Sequence, residues 1–589
     1  MKKVIDELSE IFASAFEKFG YDKKYAKISL SNRPDLCEYQ CNGAMAAAKE
    51  YKKAPIIIAE EIVSGLQDEI KFETIEAIKP GFINVKLSTE YLEQYATKMN
   101  LADNFGIEKK QTEKVIIDYG GANVAKPLHV GHLRSAVIGE SLKRIRRFMG
   151  DNVIGDVHLG DWGLQIGLII TELKHRHPEL VYFDKNYTGE YPKEAPFSIK
   201  DLEEIYPCAN AKSKEDADFK EEARQAILDL QAGNPGYRAI WKHIIDISVT
   251  DLKKNYHNLN VSFELWGKES DAQEYIPRMV QYLKDNQYAH ISEGALVVDV
   301  KEETDTKEVP PCMILKSNGA SLYDTTDLAT IMERTEKYDP SMIIYVVDKR
   351  QELYFERIFR CARKTKLVKE DTKLIFQGFG TMNGKDGKPF KTRDGGVMRL
   401  ENLIANVNDA VYQKIMENRQ VSEEEAKKTA QIVGLAAIKY GDLSNQASKD
   451  YVFDIERFAS FEGNTGPYIL YTIVRIKSIL EKYKEIQVET ELKEGEIILS
   501  GSVEEKALAL EIVKYNQIME TVYQELAPHK LCAYIYDLSN AFNRFYHETK
   551  ILSEEDKTKR CGYIHLIQLT NRILEQSIDL LGMEAPERM

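Results

Sequence analysis

The sequence lacks long apolar runs of the kind that span a membrane or form the core of a secretory signal. Its first residues, MKKVIDELSEIF, carry two lysines and then become amphipathic, with apolar side chains on one helical face. Cysteine is also scarce: the seven are scattered, and the near pair Cys37 and Cys41 has no second pair at zinc-site spacing. A disulfide framework and a structural zinc site are therefore not expected, and we predict a cytoplasmic protein.

An excess of positive charge is missing as well. Lys and Arg number 80 against 94 Asp and Glu, which gives a formal net charge of −14. Such a chain is not expected to coat DNA or to adhere to anionic membranes through bulk electrostatics, although local basic faces can still meet phosphates. Apolar residues reach 43%, which is enough for sizeable cores and excludes wholesale disorder. The length corresponds to about three or four domains.

The pattern along the chain predicts a multidomain α/β protein with three regions. Residues 1–106 are typical of an α+β domain, with amphipathic helices near 2–18 and 39–53 and strands within 70–87. Buried strands alternate with helices over 113–400, which favours a Rossmann-like parallel sheet that is interrupted by an insertion at about 172–310. Strands largely vanish afterwards, so residues 401–589 are predicted to form an all-α helical bundle.

The stretch DYGGANVAKPLHVGHLRS at 118–135 leaves a buried strand, crosses a glycine-containing loop and enters a helix. Such a strand-to-helix junction binds nucleotides in α/β sheets, because free backbone N–H groups and the helix dipole favour phosphate. His129 and His132 can face one side of the first turn, and Gly131 lets a flat base approach the backbone. A lone HxGH pattern also arises by chance, but the whole stretch is much more specific.

A second stretch, GTMNGKDGKPFKTRDGG at 380–396, follows the last predicted strand of the sheet. Its glycines provide flexibility. Its basic side chains can approach a triphosphate and neutralise the charge that develops on the leaving pyrophosphate; they are Lys385, Lys388, Lys391 and Arg393. The alternative is a solvated charged loop. That alternative is disfavoured because the HVGH stretch is present in the same chain.

Together the two stretches resemble the signatures of class I aminoacyl-tRNA synthetases, and ANVAKPLHVGHLRS is similar to the version in the arginyl-tRNA synthetase family. KPFK at 388–391 takes the place of the KMSK motif, with both lysines kept and the middle residues changed. The resemblance implies ATP-dependent ligation of L-arginine to its tRNA through an arginyl-adenylate, releasing AMP and pyrophosphate. It implies catalytic roles for His129, His132, Lys388 and Lys391, which with Gly131 would also bind ATP.

A guanidinium substrate requires carboxylates and planar hydrogen-bond partners. Tyr323 and Asp327 are four residues apart, so a helix would place them on one face. In the resembled family this pair contacts the substrate arginine, and VVDKRQELYFER at 346–357 resembles the family's VDxRQxLHF stretch. The arginine-binding residues that the resemblance implies are Asp118, Asn123, His129, Tyr323, Asp327 and Gln351, and Asp161, Trp162 and Gln165 are assigned to building the pocket.

Two further regions resemble RNA-binding parts of the family. KPGFINVKL at 79–87 would place Phe82 and Asn84 on one side of a strand, where the resemblance implies contact with an adenosine of the tRNA D-loop. The alternative is that Phe82 is core and Asn84 caps a turn. The helical region matches the anticodon-binding bundle, and its candidate tRNA-binding residues are Asn464, Tyr468, Tyr471 and Met589. Tyrosine on a helix is more often half-buried packing. Most of the basic residues after HVGH are interpreted as a solvated face, and a few could meet tRNA phosphates.

The resemblance implies a monomer that uses arginine, ATP with Mg²⁺ and tRNA(Arg), without a zinc ion, an organic cofactor, a membrane or DNA. It also suggests that tRNA must be present before arginine is activated. Three alternatives are less consistent with the sequence. A cysteinyl-type class I enzyme would need zinc ligands that the cysteine positions do not offer, and a small HxGH nucleotidylyltransferase would not explain the helical C-terminal half. A non-catalytic tRNA-binding paralogue would have a broken HVGH or lost loop lysines, and neither is seen.

Overall fold

The computed structural model of the chain describes residues 1–388, 398–418, 422–486 and 492–589. These residues form two compact units. The first comprises Met1–Lys110, Ser460–Asp579 and Glu584–Met589, and the second comprises Gln111–Ala459 and Leu580–Met583. None of the described helices combines the length and the apolar character that crossing a membrane requires.

The N-terminal part of the first unit contains a four-stranded antiparallel sheet with the strand order β1-β2-β4-β3. Its elements are α1 (Val4–Lys18), β1 (Ile28–Leu30), β2 (Tyr39–Cys41), α2 (Gly43–Tyr51), α3 (Pro55–Ser64), β3 (Phe72–Ile78), β4 (Phe82–Leu87) and α4 (Thr89–Leu101). The single helix predicted near 39–53 was therefore wrong at its start. Tyr39 and Cys41 alternate into the core as β2, and the helix begins only at Gly43.

The second unit is built on a parallel sheet with the strand order β11-β10-β5-β6, as the alternation of strands and helices predicted. Its elements are β5 (Lys114–Asp118), α5 (Val130–Phe148), β6 (Asn152–Asp156), α6 (Leu164–Arg176), α7 (Ile199–Glu215), α8 (Ala217–Gln231), α9 (Pro235–Asn258), α10 (Ile276–Asp285), β7 (His290–Ser292), β8 (Ala295–Val298), β9 (Cys312–Leu315), α11 (Tyr323–Tyr338), β10 (Met342–Asp348), α12 (Glu352–Lys364), β11 (Lys373–Phe379), β12 (Met382–Asn383), α13 (Leu400–Asn418), α14 (Glu423–Leu443), β13 (Tyr451–Val452) and α15 (Ile455–Phe458).

The polypeptide between β6 and β10 supports the edge of this sheet. Its strands β7, β8 and β9 form a small antiparallel sheet, and one hydrophobic cluster joins β8, β9, α10, α11 and α12 to the strands of the main sheet. The segment at 265–268 continues the main sheet, because Leu265 pairs in parallel with Asp156 and Lys268 pairs with Leu159. The insertion therefore carries residues directly to the carboxyl end of the sheet.

Helix α5 is buried on almost every side, and this overturns the solvated face expected after HVGH. Arg134, Lys143 and Arg146 are all buried. Each forms an internal ion pair, such as that of Arg134 Nε with Asp442 at 3.0 Å. A buried cation is tolerated only when a carboxylate compensates it. These side chains therefore belong to the core of the unit and do not form a basic surface.

The C-terminal part of the first unit is helical, as predicted. Its helices are α16 (Gly466–Lys484), α17 (Val503–Val513), α18 (Tyr515–Glu525), α19 (Pro528–Glu548) and α20 (Lys557–Leu580). Helix α19 packs against α16, α17 and α18. It buries an apolar face that includes Leu531, Ile535, Leu538 and Phe542.

Candidate active site

Helix α5 begins with the HVGH residues, and its first turn is closed by the two histidines. His129 is the residue before the helix, and its backbone N–H donates to His132 Nδ1 at 3.1 Å. The backbone N–H of Gly131 donates to His129 Nδ1 at 3.0 Å. Because both Nδ1 atoms accept, each neutral ring carries its proton on Nε2. Both rings therefore keep one N–H donor beyond these backbone bonds.

The protonation of the histidines is set by their surroundings. Burial lowers the pKa of His129 and lowers the pKa of His132 to about 3. The rings lie 3.9 Å apart between centroids, so a charge on one also disfavours a charge on the other. Both histidines are consequently neutral near pH 7, and they offer hydrogen bonds to a phosphate without offering a positive charge.

Gly131 leaves room for the ring of His129. A Cβ at this position would lie 2.8 Å from Cε1 of the His129 ring. The absence of a side chain therefore lets the His129 ring fold over the first turn. This close approach adds a reason for glycine to the predicted approach of a base.

The lysine-bearing stretch starts at a point that is bonded to α5. Arg134 donates from Nη1 to the carbonyl oxygen of Gly380 at 2.7 Å, while its Nε pairs with Asp442. Lys388 is exposed and accepts, through its carbonyl oxygen, a hydrogen bond from Gly384 N–H at 2.8 Å. Lys391, the second predicted lysine, lies outside the described residues.

The chain that follows this stretch is paired with the HVGH segment. Val130 N–H donates to Met398 O at 3.1 Å, and Leu400 N–H donates to Leu128 O at 2.9 Å. His129 and Arg399 thus form an antiparallel bridge. Residues on both sides of 389–397 are therefore hydrogen-bonded to the start of α5 or to its first turns.

Two aspartates at the carboxyl ends of β5 and β6 share one internal cation. Arg334 of α11 donates from Nη2 to Asp118 and to Asp156, at 2.6 Å in each case. The guanidinium is buried, and within the described residues its Nε and Nη1 have no hydrogen-bond partner. Asp118 was predicted to contact the substrate arginine, but its charge is already compensated from inside the protein.

Asp327, one turn into α11, is in a different situation. Among the described residues its one hydrogen bond comes from the Tyr354 hydroxyl of α12, which donates to Oδ2 at 2.5 Å. Burial raises the pKa of Asp327 to about 6 and that of Glu269 to about 7, and the two charges interact. Neither carboxyl forms a salt bridge within the described parts of the chain. Such a pair favours binding of an external cation.

Three other predicted pocket residues lie at the start of α11, just before α12 and in the loop after β5. Tyr323 is the first residue of α11 and is 73% exposed, one turn before Asp327. Gln351 is exposed and immediately precedes α12, the helix that carries Tyr354. Asn123 is exposed and pairs in parallel with Gly160 in the loops that follow β5 and β6.

Two residues of this site were missed by the sequence reasoning. Tyr354 carried a signal that could have been used, because it follows Gln351 by three residues and shares its side of a helix. Glu269 carried none, since it comes from the insertion. Its position is fixed by Asp161, which is buried and accepts hydrogen bonds from Ser270 N–H at 2.9 Å and from Ser270 Oγ at 2.6 Å.

A cavity of about 610 Å³ lies beside the site, between α11 and the segment at 265–274. Its charged lining residues include Asp156, Lys268, Glu333, Arg334 and Lys337. These charges are of both signs and form ion pairs with one another, such as Lys337 with Glu333 at 2.6 Å. The lining contains neither HVGH histidine nor Asp327. The chemistry is therefore assigned to the side chains around the start of α5 and α11.

The first unit presents the predicted D-loop residues on the half-exposed face of its sheet. Phe82 and Asn84 share one side of β4, whereas Ile83 and Val85 face the core. Gln40 of the neighbouring strand donates from Nε2 to Asn84 Oδ1 at 2.8 Å. Phe82 is therefore not a core residue, and Asn84 lies within a strand. RNA contact by this pair remains a prediction.

The predicted anticodon-contacting residues have different surroundings. The Tyr468 hydroxyl donates to Asn540 Oδ1 at 2.7 Å, so it takes part in packing between α16 and α19. Tyr471 is half-buried and Asn464 is exposed just before α16, while Met589 is only 8% exposed. Their contacts with tRNA remain predictions.

Family models match three parts of the chain. The model described as "tRNA synthetases class I (R), catalytic domain" matches residues 96–455. The "DALR anticodon binding domain" matches residues 469–589, and the "Arginyl tRNA synthetase N terminal domain" matches residues 2–87. The parallel sheet with its HVGH histidines at the start of α5 thus defines a class I aminoacyl-tRNA synthetase.

Relatives that match over the full length show which member of this class the chain is similar to. The arginine–tRNA ligases of Agathobacter rectalis and Alkaliphilus oremlandii are 60% and 57% identical, each over 100% of both chains. The crystal structure of arginyl-tRNA synthetase from Plasmodium falciparum superposes with a TM-score of 0.82 at 27% identity over 100% of both chains. The arginyl-tRNA synthetase of Thermus thermophilus shares the fold, with a TM-score of 0.77 at 22% identity over 100% of both chains.

The chain belongs to the arginyl-tRNA synthetase family. The predicted activity is thereby confirmed: the chain ligates arginine to tRNA in an ATP-dependent reaction. The predicted fold class is confirmed as well, with a parallel-sheet catalytic region, an N-terminal region with an antiparallel sheet and a helical C-terminal region.

Proposed function

We propose that the start of α5 binds ATP and that the carboxyl group of Asp327 binds the arginine side chain. The observation that carries this proposal is the pairing of residues 398–400 with residues 128–130, because it brings the chain flanking the lysines to the two histidines. The Nε2–H donors of His129 and His132, together with Lys388 and Lys391, would stabilise charge on the triphosphate. Gly131 leaves room for the nucleotide.

The arginine side chain is assigned to the carboxyl pair of Asp327 and Glu269. Asp118 supports this pocket through Arg334, while Tyr323 and Gln351 border it and Asn123 and His129 would hold the α-amino and carboxylate region. These carboxylates form no salt bridge within the described residues, so a guanidinium bound between them gains charge-assisted hydrogen bonds. An uncharged analogue would leave these buried acceptors unsatisfied, which favours discrimination by binding alone.

The reaction would then proceed by positioning and electrostatics. The arginine carboxylate attacks the α-phosphate of ATP in line, and pyrophosphate leaves. The 2′-hydroxyl of the terminal tRNA adenosine takes the arginyl group from the adenylate, and AMP is released. No covalent enzyme intermediate is required. Mg²⁺ would enter with ATP as part of the substrate, and the described residues contain no cluster of three His, Cys, Asp or Glu side chains that could hold a metal ion on its own.

Recognition of tRNA is assigned to the first unit. Phe82 can stack on an unpaired base of the D-loop while Asn84 reads its edge. Asn464, Tyr468, Tyr471 and Met589 stay candidates for contact with the anticodon. We further propose a cytoplasmic monomer that does not act on DNA, with domains at 1–106, 113–400 and 401–589.

The proposal is tested by amino-acid-dependent exchange of labelled pyrophosphate into ATP. Each of the twenty amino acids is assayed with and without tRNA(Arg). Among the twenty amino acids, exchange is expected only with arginine. We expect this exchange to require tRNA. Exchange with another amino acid at a comparable rate would reject the assignment of the pocket to arginine.

The pH dependence of arginine use is a further expected result. The pKa values of about 6 for Asp327 and about 7 for Glu269 mean that both carboxyls take up protons as the pH falls through this range. A protonated carboxyl cannot pair with guanidinium, so kcat/KM for arginine should be highest above pH 7. It should fall by about 100-fold between pH 8 and pH 5.5.

The pH profile for ATP serves as the comparison, measured at saturating arginine. His132, with a pKa of about 3, does not titrate in this range. The value of kcat/KM for ATP should therefore change much less than that for arginine. Equal losses for the two substrates would show that the acidic limb does not come from the arginine pocket.

A further inference from the structure

Tyr354 is the hydrogen-bond partner of the Asp327 carboxyl, which forms no salt bridge within the described residues. Its hydroxyl donates to Asp327 Oδ2 at 2.5 Å, across the gap between α12 and α11. No other hydrogen bond to Asp327 is present among the residues that the structure describes. One oxygen of the carboxyl is therefore fixed by the protein, and the other is left for a ligand.

The kind of partner distinguishes Asp327 from the other aspartates of the site. Arg334 is a cation, so Asp118 and Asp156 lose their net attraction for a second cation when they pair with it. A phenol is a neutral donor and leaves the carboxylate its full charge. A hydrogen bond to the ionised form also favours that form over the protonated one. Tyr354 thus orients the carboxylate without neutralising it.

The bond is not needed to join the two helices. Arg357 of α12 already pairs with the buried Asp324 of α11 at 3.0 Å. The ring of Tyr354 is held independently of its hydroxyl, with Phe355 at 5.3 Å between ring centroids and the Arg357 guanidinium at 5.7 Å from its own centroid. Removing the hydroxyl alone would therefore leave the helix packing in place.

We propose that Tyr354 is a positioning residue, whose hydroxyl fixes the Asp327 carboxylate so that its second oxygen faces the guanidinium of the substrate. The inference rests on the proposed role of Asp327 in binding arginine. Tyr354 itself does not touch the substrate. Its effect is exerted on the angle and the ionisation of Asp327.

The test is Tyr354→Phe in the full-length chain, assayed by pyrophosphate exchange with tRNA present. The KM for arginine should rise about 10-fold or more, as expected for a lost hydrogen bond to a charged group, while the KM for ATP stays within about twofold. Because the lost bond favoured the ionised carboxyl, the acidic limb of kcat/KM for arginine should move to higher pH. Loss of packing alone would not move this limb.

Two matched variants accompany it. Tyr282→Phe removes a hydroxyl of the same unit that donates to the carbonyl oxygen of Thr365 at 2.9 Å, and it should leave both KM values unchanged. Tyr354→His keeps a hydrogen-bond donor, which the resembled VDxRQxLHF motif also has here, and should recover part of the arginine affinity. Equal arginine KM values for Tyr354→Phe and Tyr282→Phe would overturn the proposal.

A double variant separates the two claims. If Tyr354 acts through Asp327, adding Tyr354→Phe to Asp327→Asn should raise the arginine KM little beyond Asp327→Asn alone. Fully additive effects would show that Tyr354 acts by another route. A normal arginine KM for Asp327→Asn would instead reject the proposed role of Asp327 itself.

Discussion

Replacing Asp327 with asparagine is expected to raise the KM for arginine at least about 100-fold, because a desolvated guanidinium loses its charged partner. The KM for ATP should stay within about threefold, since Asp327 lies on α11 and the nucleotide is assigned to the start of α5. The comparison is made by pyrophosphate exchange with tRNA present. One substrate is varied while the other is saturating.

A control variant on the same helix distinguishes the loss of a pocket carboxylate from the loss of a carboxylate at the surface of α11. Glu336→Gln removes an exposed carboxylate of α11 that pairs with Arg278 at 2.7 Å. This variant should behave like the parent protein for both substrates. If Asp327→Asn raised the two KM values by the same factor, the carboxyl would not belong to the arginine pocket.

Replacing His132 with alanine is expected to lower the rate of arginine activation by about 100- to 1000-fold, the cost of losing one donor to developing phosphate charge. The KM for arginine should change little. The substitution also removes the Nδ1 acceptor that holds the His129 backbone N–H, so part of the loss comes from the first turn of α5. Single-turnover formation of the adenylate is the appropriate measurement.

Two further variants show which interaction of His132 accounts for the lower rate of arginine activation. His132→Asn keeps a polar side chain that can accept the backbone bond and donate to phosphate, and it should retain more activity than alanine. His177→Ala removes an exposed histidine of the same unit, 53% exposed and 3.4 Å from Glu179, and should have no effect. Full activity of His132→Ala would contradict the assignment of phosphate binding to the HVGH segment.

The sheet and the nucleotide site could be predicted because their signals are local. The apolar run at 342–348 coincides with β10, and the run at 115–119 with β5, which spans 114–118. The signal of the HVGH turn is local as well, since His129, Gly131 and His132 bond to one another, while the pairing of this segment with residues 398–400 is long-range. Local hydrogen bonds and local burial were sufficient there.

The ion pairs and hydrogen bonds of the pocket carboxyls could not be predicted from local sequence patterns. Asp118 and Arg334 are separated by 216 residues, and the sequence around each of them does not indicate that they form an ion pair. Asp327 and Tyr354 are closer in sequence, yet their contact depends on the packing of α11 against α12. The prediction of a solvated basic face on α5 was wrong for a related reason. Helical periodicity does not reveal that nearly every side of this helix is covered.

The shared ion pair of Arg334 limits how this enzyme can evolve a different specificity. Mutating Asp118 or Asp156 would leave a buried guanidinium with a single carboxylate, so such changes act on folding before they act on substrate choice. Within the described residues Asp327 forms no ion pair, and its hydrogen bond comes from a neutral phenol. Substitutions that retune the pocket while keeping the protein folded are therefore most accessible at Asp327 and Tyr354, not at the ends of the strands or at the buried ion pair of Asp324 with Arg357.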